Sequence, residues 1–396
     1  MKNSLIIILF DHPQEHTADY SGQTAKLLRN DNMVIGVLLK DSKSIKEMIF
    51  SHHRGLFWKK ISENYHEFTP FYIIPFRRFE CIVRLNLLLN SVVVKLFIAS
   101  LIFRRKIKKK YVWVFNPDSY TSYQLFGSSF ISLYDCVDYH GNEPSQYLEK
   151  LLIRSCDLMV VNSHVLYDVH RLERPDIQLV PLGFDLHTFS AKTMKSFIHL
   201  PHNQPIIGYI GGINSRLDYH LLLHLIKKNN RYDFIFVGPI QEHETHQFFE
   251  SSVRPKIDAL FSLRNVHHFP YLPKDEIPGI ISQFDICMIP YDVSVDFNRY
   301  CYPMKLFEYF YMGKPVISTP IEELKRFPKY VKIGHTGKDW GKHIQALLVK
   351  PWPKEYQKEQ RKLALANTWR KKIKTILKLI KRIPRSSAAG LRRKDI

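Results

Sequence analysis

Acidic residues are the scarce class in this sequence. Only 37 Asp and Glu stand against 58 Lys and Arg in 396 residues, a formal balance of +21. Such an imbalance implies an anionic partner: nucleic acid, anionic lipid or a phosphorylated substrate. No RNP sequence or zinc-finger spacing accompanies it, so no nucleic acid is expected. Cysteine is scarce as well. Cys81, Cys136, Cys156, Cys287 and Cys301 form no C-x-x-C pair, and their odd number argues against a disulfide framework. Most lie in apolar runs and are expected to be reduced core residues of a cytoplasmic protein. There is no repeat of solenoid length. A secretory signal is also missing: the apolar run Leu5–Phe10 is short and meets Asp11-His12 at once, which suits a first buried strand better.

What remains is globular in composition, 45% hydrophobic and 24% charged, and long enough for two full cores. Apolar runs predict strands at 4–9, 33–39, 71–75, 111–115, 130–135, 157–162 and 177–181 in the first half. In the second half they fall at 206–210, 233–237, 266–269, 286–290, 315–319 and 330–333, with helices near 218–228, 244–261, 275–283, 303–312 and 338–349. Strand and helix alternate throughout, which argues for an α/β fold of two parallel, doubly wound, Rossmann-like domains. The junction is expected near 186–204, and the crevice at the C-terminal sheet edges is the default ligand site.

The densest local signal lies in residues 285–320. A buried strand ends at Pro290-Tyr291, a helix opens near Pro303, and Gly313 stops it before Pro315–Thr319 re-enters the sheet. Lys305 and Glu308, three apart, share one face near the N-terminal end of that helix. A cation there can grip phosphate, and a carboxylate beside it can accept from ribose hydroxyls. The competing reading is a solvated Lys–Glu pair on an amphipathic helix. Gly211-Gly212 after a strand permits close backbone approach without being a full G-x-G-x-x-G. In the first half, Asp138 and His140 follow the strand at 130–135, where they either orient an acceptor hydroxyl or sugar, or cap the next helix. Asp11-His12, at the end of the first strand, is open to the same two readings, and Ser21-Gly22 is expected in a loop before a helix starting near Gln23. His267-His268 sit in a strand pattern without metal partners and read as structural.

The order Pro303-x-Lys305-x-x-Glu308-Tyr309-x-x-x-Gly313-x-Pro315-Val316 resembles the nucleotide-sugar site of the retaining family 4 (group 1) glycosyltransferases of GT-B fold. Ile207–Gly212, Phe234–Pro239, Asn265–Phe269 and Val180–Asp185 fall in matching order, so the resemblance is strong over 157–325 and diffuse before. It looks closest to enzymes of bacterial cell-surface polysaccharide synthesis. The resemblance implies two Rossmann-like domains facing across a cleft, with a C-terminal helix crossing back to the first. The corresponding limits are an acceptor-side domain at 1–190, a nucleotide-sugar-binding domain at 200–355, crossover helices at 356–383 and a basic flexible tail at 384–396. It implies a nucleoside-diphosphate sugar donor held by Gly211, Gly212, Arg216, Pro290, Tyr291, Lys305 and Glu308. Lys305 and Arg216 would meet the diphosphate, and Glu308 the ribose. No cofactor and no divalent metal are expected, in keeping with the lack of a suitable Asp-x-Asp pair. Tyr300 stands where the family often has an earlier Glu, which leaves that donor contact to another group. A nucleotide-sugar epimerase of the same fold, or a non-enzymatic binder of anionic polymers, are the alternatives.

Two segments bear on location. Leu85–Phe103 approaches a membrane span in length, but Lys95 near its middle would be costly in lipid, so a helix packed on the sheet, with or without one side against the membrane, is expected over a true span. Arg370–Ile396 carries eleven cations and a single Asp395, with Ile373, Ile376, Leu377 and Ile380 at helical spacing. It reads either as a helix docked on the protein or as one lying on an anionic membrane surface. With a glycan or lipid-linked acceptor, the expected location is cytoplasmic, peripheral at the inner face of the cell membrane.

Overall fold

The computed structural model describes residues 3–10, 20–38, 43–44, 58–72, 80–107, 109–124, 126, 130–189, 200–201, 204–240 and 253–383. Asp11-His12, most of the expected junction, residues 244–252 and the basic tail therefore lie outside the described residues. The chain divides into two compact units, Met1–Val180 with Lys372–Ile396, and Pro181–Lys371.

The first unit contains β1 (Ser4–Phe10), β2 (Met33–Leu38), β3 (Lys43–Ser44), β4 (Trp58–Ser62), β5 (Tyr65–Phe68), β6 (Phe71–Tyr72), β7 (Lys109–Val114), β8 (Ile131–Cys136), β9 (Leu158–Val161) and β10 (Gln178–Leu179). Eight of these form one sheet in the order β10-β9-β8-β7-β1-β2-β5-β4. All of its pairings are parallel except β4 with β5. This edge hairpin corrects the expectation of a wholly parallel sheet. Lys59 and Lys60 face solvent on β4, and such a mixed, charged edge carries little strand signal while discouraging further pairing. The expected strand at 71–75 appears as the short β6, paired with β3 in a separate two-stranded sheet. Ser21 and Gly22 lie inside the helix Tyr20–Leu28, not in a loop before it.

A parallel sheet must be covered on both faces, and the period of two along β1 divides its residues between them. Leu5, Ile7 and Leu9 face the side where Val94, Ile98 and Leu101 of the helix Glu80–Arg105 pack. Ile6 and Ile8 face the other, which holds Ala25 and Leu28 of the first helix and Ile373, Ile376 and Ile380 of the helix Trp369–Ile380. The C-terminal apolar stripe is thus core, which removes it from any role in membrane insertion. Beside it, Lys372 Nζ donates to Asp135 Oδ1 at 2.8 Å with both side chains at most 1% exposed.

The second unit carries β11 (Ile206–Ile210), β12 (Asp233–Val237), β13 (Val266–Phe269), β14 (Ile286–Ile289), β15 (Val316–Ser318) and β16 (Val331–Ile333). All pair in parallel, in the order β13-β12-β11-β14-β15-β16. Chain order therefore reverses between β11 and β14. The segment after Val180 belongs here: Phe184 N–H donates to the Asn367 carbonyl at 2.7 Å, and Trp369 N–H to the Phe184 carbonyl at 3.1 Å. A Cβ on Gly183 would sit 2.2 Å from the Trp369 ring, so this contact requires glycine. His267 and His268 bond Asp233 Oδ1 and the Gly238 carbonyl, at 3.1 and 2.9 Å.

Breaking the Lys372–Asp135 pair strands a charge in the core. Lys372→Ala should lower unfolding stability by roughly 3–5 kcal/mol, whereas Lys372→Met with Asp135→Leu should recover most of it. Denaturant titration reads both. A Lys372→Ala variant as stable as the parent would show the pair to be structurally idle.

Candidate active site

Strand order reverses between β11 and β14, the place where a parallel sheet offers a crevice at its C-terminal ends, and the two chains leaving those strands meet again where Leu217 pairs with Tyr291. Gly211-Gly212 leaves β11 there, and Pro290-Tyr291 leaves β14. Gly211 has φ +142°, and a Cβ on it would lie 3.0 Å from Lys305 Nζ and 3.1 Å from the Tyr209 hydroxyl. Across from it, a Cβ on Gly238 (φ +144°) would lie 2.2 Å from the Gly211 carbonyl oxygen. A side chain at either position would therefore crowd Lys305, Tyr209 or the Gly211 carbonyl, while Gly211 and Gly212 themselves stay partly exposed.

Lys305 is the first residue of the helix Lys305–Tyr311, two positions later than expected, with Pro303 just ahead of it. Its ammonium donates to the Tyr291 hydroxyl at 2.5 Å and the Tyr209 hydroxyl at 3.2 Å. Tyr209 in turn donates to the Gly212 carbonyl at 3.0 Å, so the lysine and the glycine turn are held by one phenol. A second tyrosine of this helix, Tyr309, accepts from Ile210 N–H at 3.1 Å and pins the helix to the end of β11. Burial opposes a charge on Lys305, but the oxygens of Tyr209 and Tyr291 outweigh it and leave the ammonium pKa raised. Lys305 is a cation at neutral pH.

Arg216 reaches the same tyrosine from the loop after β11. Its guanidinium lies 4.5 Å from the centre of the Tyr291 ring and 4.9 Å from that of Phe297. Its Nε donates to Asn298 Oδ1 at 2.8 Å, and Asn298, only 2% exposed, donates to the Asp292 carbonyl at 2.9 Å. Cation–π contact and a fixed acceptor together hold the planar guanidinium in one orientation. Two cations therefore share Tyr291, with a glycine turn beside them.

Glu308 stands one turn beyond Lys305, half-buried. No described residue hydrogen-bonds its carboxyl. Burial raises its pKa from 4.5 to about 7, with Lys305 pulling the other way. A partly buried acid with no hydrogen-bond partner among the described residues has the capacity to accept from a ligand hydroxyl.

The structure thus gathers Gly211, Gly212, Arg216, Pro290, Tyr291 and Lys305 at one crevice, with Glu308 on the adjoining helix. Asp138 and His140 belong to the first unit, half-buried just past the end of β8. Sequence reasoning passed over Tyr209, Tyr309 and Asn298. Tyr209 lies inside the noted Ile207–Gly212 run, and its aromatic ring before two glycines is the one signal that pointed to it. Among the described residues, one group has metal-ligand character: Cys136, Glu149 and His170, all buried. Glu149 already accepts from Tyr134 at 2.6 Å and from the Cys136 thiol at 3.6 Å. Burial raises Glu149 to about 7 and pushes the thiol well up, so the group reads as a protonated hydrogen-bond network.

Residues 204–358 match the family model described as Glycosyl transferases group 1. The match spans the whole crevice. TuaH of Bacillus subtilis (strain 168), named for a glycosyltransferase role in teichuronic acid biosynthesis, is 25% identical over 212 residues. That alignment covers 52% of this chain and 51% of TuaH, so the chain spans about half the length of this curated relative. Among solved structures, sucrose-phosphate synthase from Thermosynechococcus elongatus superposes with a TM-score of 0.71 at 16% identity, covering 96% of this chain and 98% of that one. Anabaena HepE, in complex with UDP and glucose, gives 0.65 at 12% identity over 95% and 99%. The fold is GT-B.

The raised pKa of Glu308 has a definite sign. Its protonated form is favoured by folding, so the stabilisation is full below pH 4.5 and is lost as pH rises from there through about 7. Glu308→Gln mimics the protonated acid at every pH. Its advantage in melting temperature over the parent should grow across that window and level off above it. A constant difference from acid to neutral pH would mean that the carboxyl is solvated.

Proposed function

We propose that the protein is a glycosyltransferase that moves a sugar from a nucleoside-diphosphate sugar to a glycan or lipid-linked acceptor. One observation carries this reading: two cations converge on Tyr291 beside a bare glycine turn, with an unpartnered carboxyl one helical turn away. A diphosphate suits the first feature and a ribose the second. The group 1 match over the same residues supports it, as does the UDP and glucose named with Anabaena HepE.

In the proposed reaction the bond from the anomeric carbon to the diphosphate oxygen breaks, and its electron pair leaves with the diphosphate. The acceptor hydroxyl oxygen bonds to that carbon, through an oxocarbenium-like state, and its proton passes to the leaving group or to water. Lys305 and Arg216 stabilise the charge that builds on the diphosphate, and Glu308 accepts from the ribose hydroxyls. Asp138 and His140 are assigned to orienting the acceptor. We assign the transfer to retention of configuration, to cell-surface polysaccharide synthesis, and to the cytoplasmic face of the membrane. The sequence resemblance supports the first two assignments, and the teichuronic acid biosynthesis in the name of TuaH bears on the second.

Incubation with a panel of nucleotide sugars tests the reading. Nucleoside diphosphate should appear only when an acceptor lipid or glycan is added; an altered nucleotide sugar without acceptor would instead establish an epimerase. Lys305→Ala should lower turnover by about a hundredfold or more, while Glu308→Ala should chiefly weaken donor binding. Normal kinetics in both variants would remove this site from the mechanism. Because side-chain cations are assigned the work of an ion, turnover should survive EDTA. Loss on chelation, restored by magnesium or manganese, would refute that assignment.

A further inference from the structure

The helix Glu80–Arg105 is arranged against the usual rule for a helix on a sheet. Asn86, Asn90 and Ser91 point inward and are at most 6% exposed, capped on their own helix through the Asn86 and Leu88 carbonyls. Leu85, Leu88, Val92, Leu96, Ala99 and Phe103 form an outward stripe, with Leu88 56%, Leu96 68% and Phe103 88% exposed. Those positions recur every three or four residues, so the stripe is continuous for about 27 Å along the helix. Exposed Arg84, Lys95, Arg104, Arg105 and Lys106 border it, and no acidic residue occurs between Glu80 and Asp118.

We propose that this stripe lies flat in the surface of an anionic bilayer, with Leu88, Val92, Leu96 and Phe103 at the acyl boundary and the flanking cations on lipid phosphates. The helix is long and apolar enough to cross a membrane, yet Val94, Ile98 and Leu101 on its inner face are packed into the sheet core, and Phe97 meets the Trp58 ring at a tilt of 43°. That packing leaves one face for lipid, which is the geometry of an interfacial helix. Arg105 is already engaged by Glu63 and Asn64, but Arg84, Lys95, Arg104 and Lys106 leave the border of the stripe predominantly cationic, which complements a negative surface. Lys95 fits the interface, since its stem can follow the apolar surface while its ammonium stays in water. Membrane contact thus moves from the C-terminal stripe, which is buried, to this helix. A lipid-linked acceptor would give the docking its purpose, so to that extent it rests on the function proposed above; vesicle binding itself needs no turnover.

The full-length protein should co-sediment with vesicles of phosphatidylcholine and phosphatidylglycerol, weakly with phosphatidylcholine alone, and less at about 0.5 M salt. Leu88→Gln with Val92→Gln and Leu96→Gln should weaken binding to anionic vesicles by roughly tenfold or more while circular dichroism and melting temperature hold. If that variant misfolds, Leu96→Trp supplies the reading, because brominated lipids should quench its added fluorescence. Unchanged binding of the triple variant, no quenching of Trp fluorescence, or equal binding to neutral vesicles would overturn the proposal. Resistance to carbonate extraction would replace it with a membrane span, and a stripe-dependent dimer without vesicle binding would replace it with a second copy of this chain. Vesicle binding that needs the stripe, in a protein that turns over no nucleotide sugar, would sink the transferase reading and leave the docking intact.

Discussion

The reversal of strand order between β11 and β14 is the constraint from which the second unit's chemistry follows. At such a reversal the helices that follow the two strands go to opposite faces of the sheet, and the loops between, joined here through Leu217 and Tyr291, form the wall of a crevice. The polar groups that gather there have to be satisfied by something nearby. Tyr291 does most of that, accepting from Lys305 and lying under Arg216, while Tyr209 links the same lysine to the Gly212 carbonyl. The result is a rigid positive pocket wall made from two strand ends and one helix start. Removing Tyr291 would cost Lys305 its shorter hydrogen bond and Arg216 one of its two ring contacts.

That wall is asymmetric in its titration. Lys305 stays charged far above neutrality, whereas Glu308 changes state near pH 7. A ligand with a diphosphate at one end and neutral hydroxyls near the other matches this division. The lysine meets fixed charge, and the carboxyl adapts to what the hydroxyls offer.

Much of the second unit was legible from sequence. Parallel strands buried on both faces read as short, continuous apolar runs, and the expected 206–210 and 233–237 coincide with β11 and β12. Lys305 and Glu308 were legible because their relation is local to one helix. Tyr209 and Asn298 were not, because their contacts join residues 96 and 82 positions apart, and nothing in a linear pattern marks such a meeting. In the first unit the β4–β5 hairpin escaped notice because its exposed edge alternates weakly. The two amphipathic segments show a deeper limit. An Ile stripe bordered by lysine and a Leu–Val stripe bordered by arginine look alike on paper, yet the first is core and the second faces outward. Only the packing partner distinguishes them.

The first unit is built from both ends of the chain, and this affects its synthesis. Its sheet residues up to Val180 leave the ribosome long before Ile373, Ile376 and Ile380, which complete one of its two faces. Until then Ile6, Ile8 and Trp113 have only the first helix, through Ala25 and Leu28, on that side, and Asp135 has no Lys372. The second unit, Pro181–Lys371, is contiguous and can close its own core earlier. The first unit therefore cannot complete its core until its last helix has emerged, so a chain ending near residue 371 would carry a first unit with part of one apolar face open.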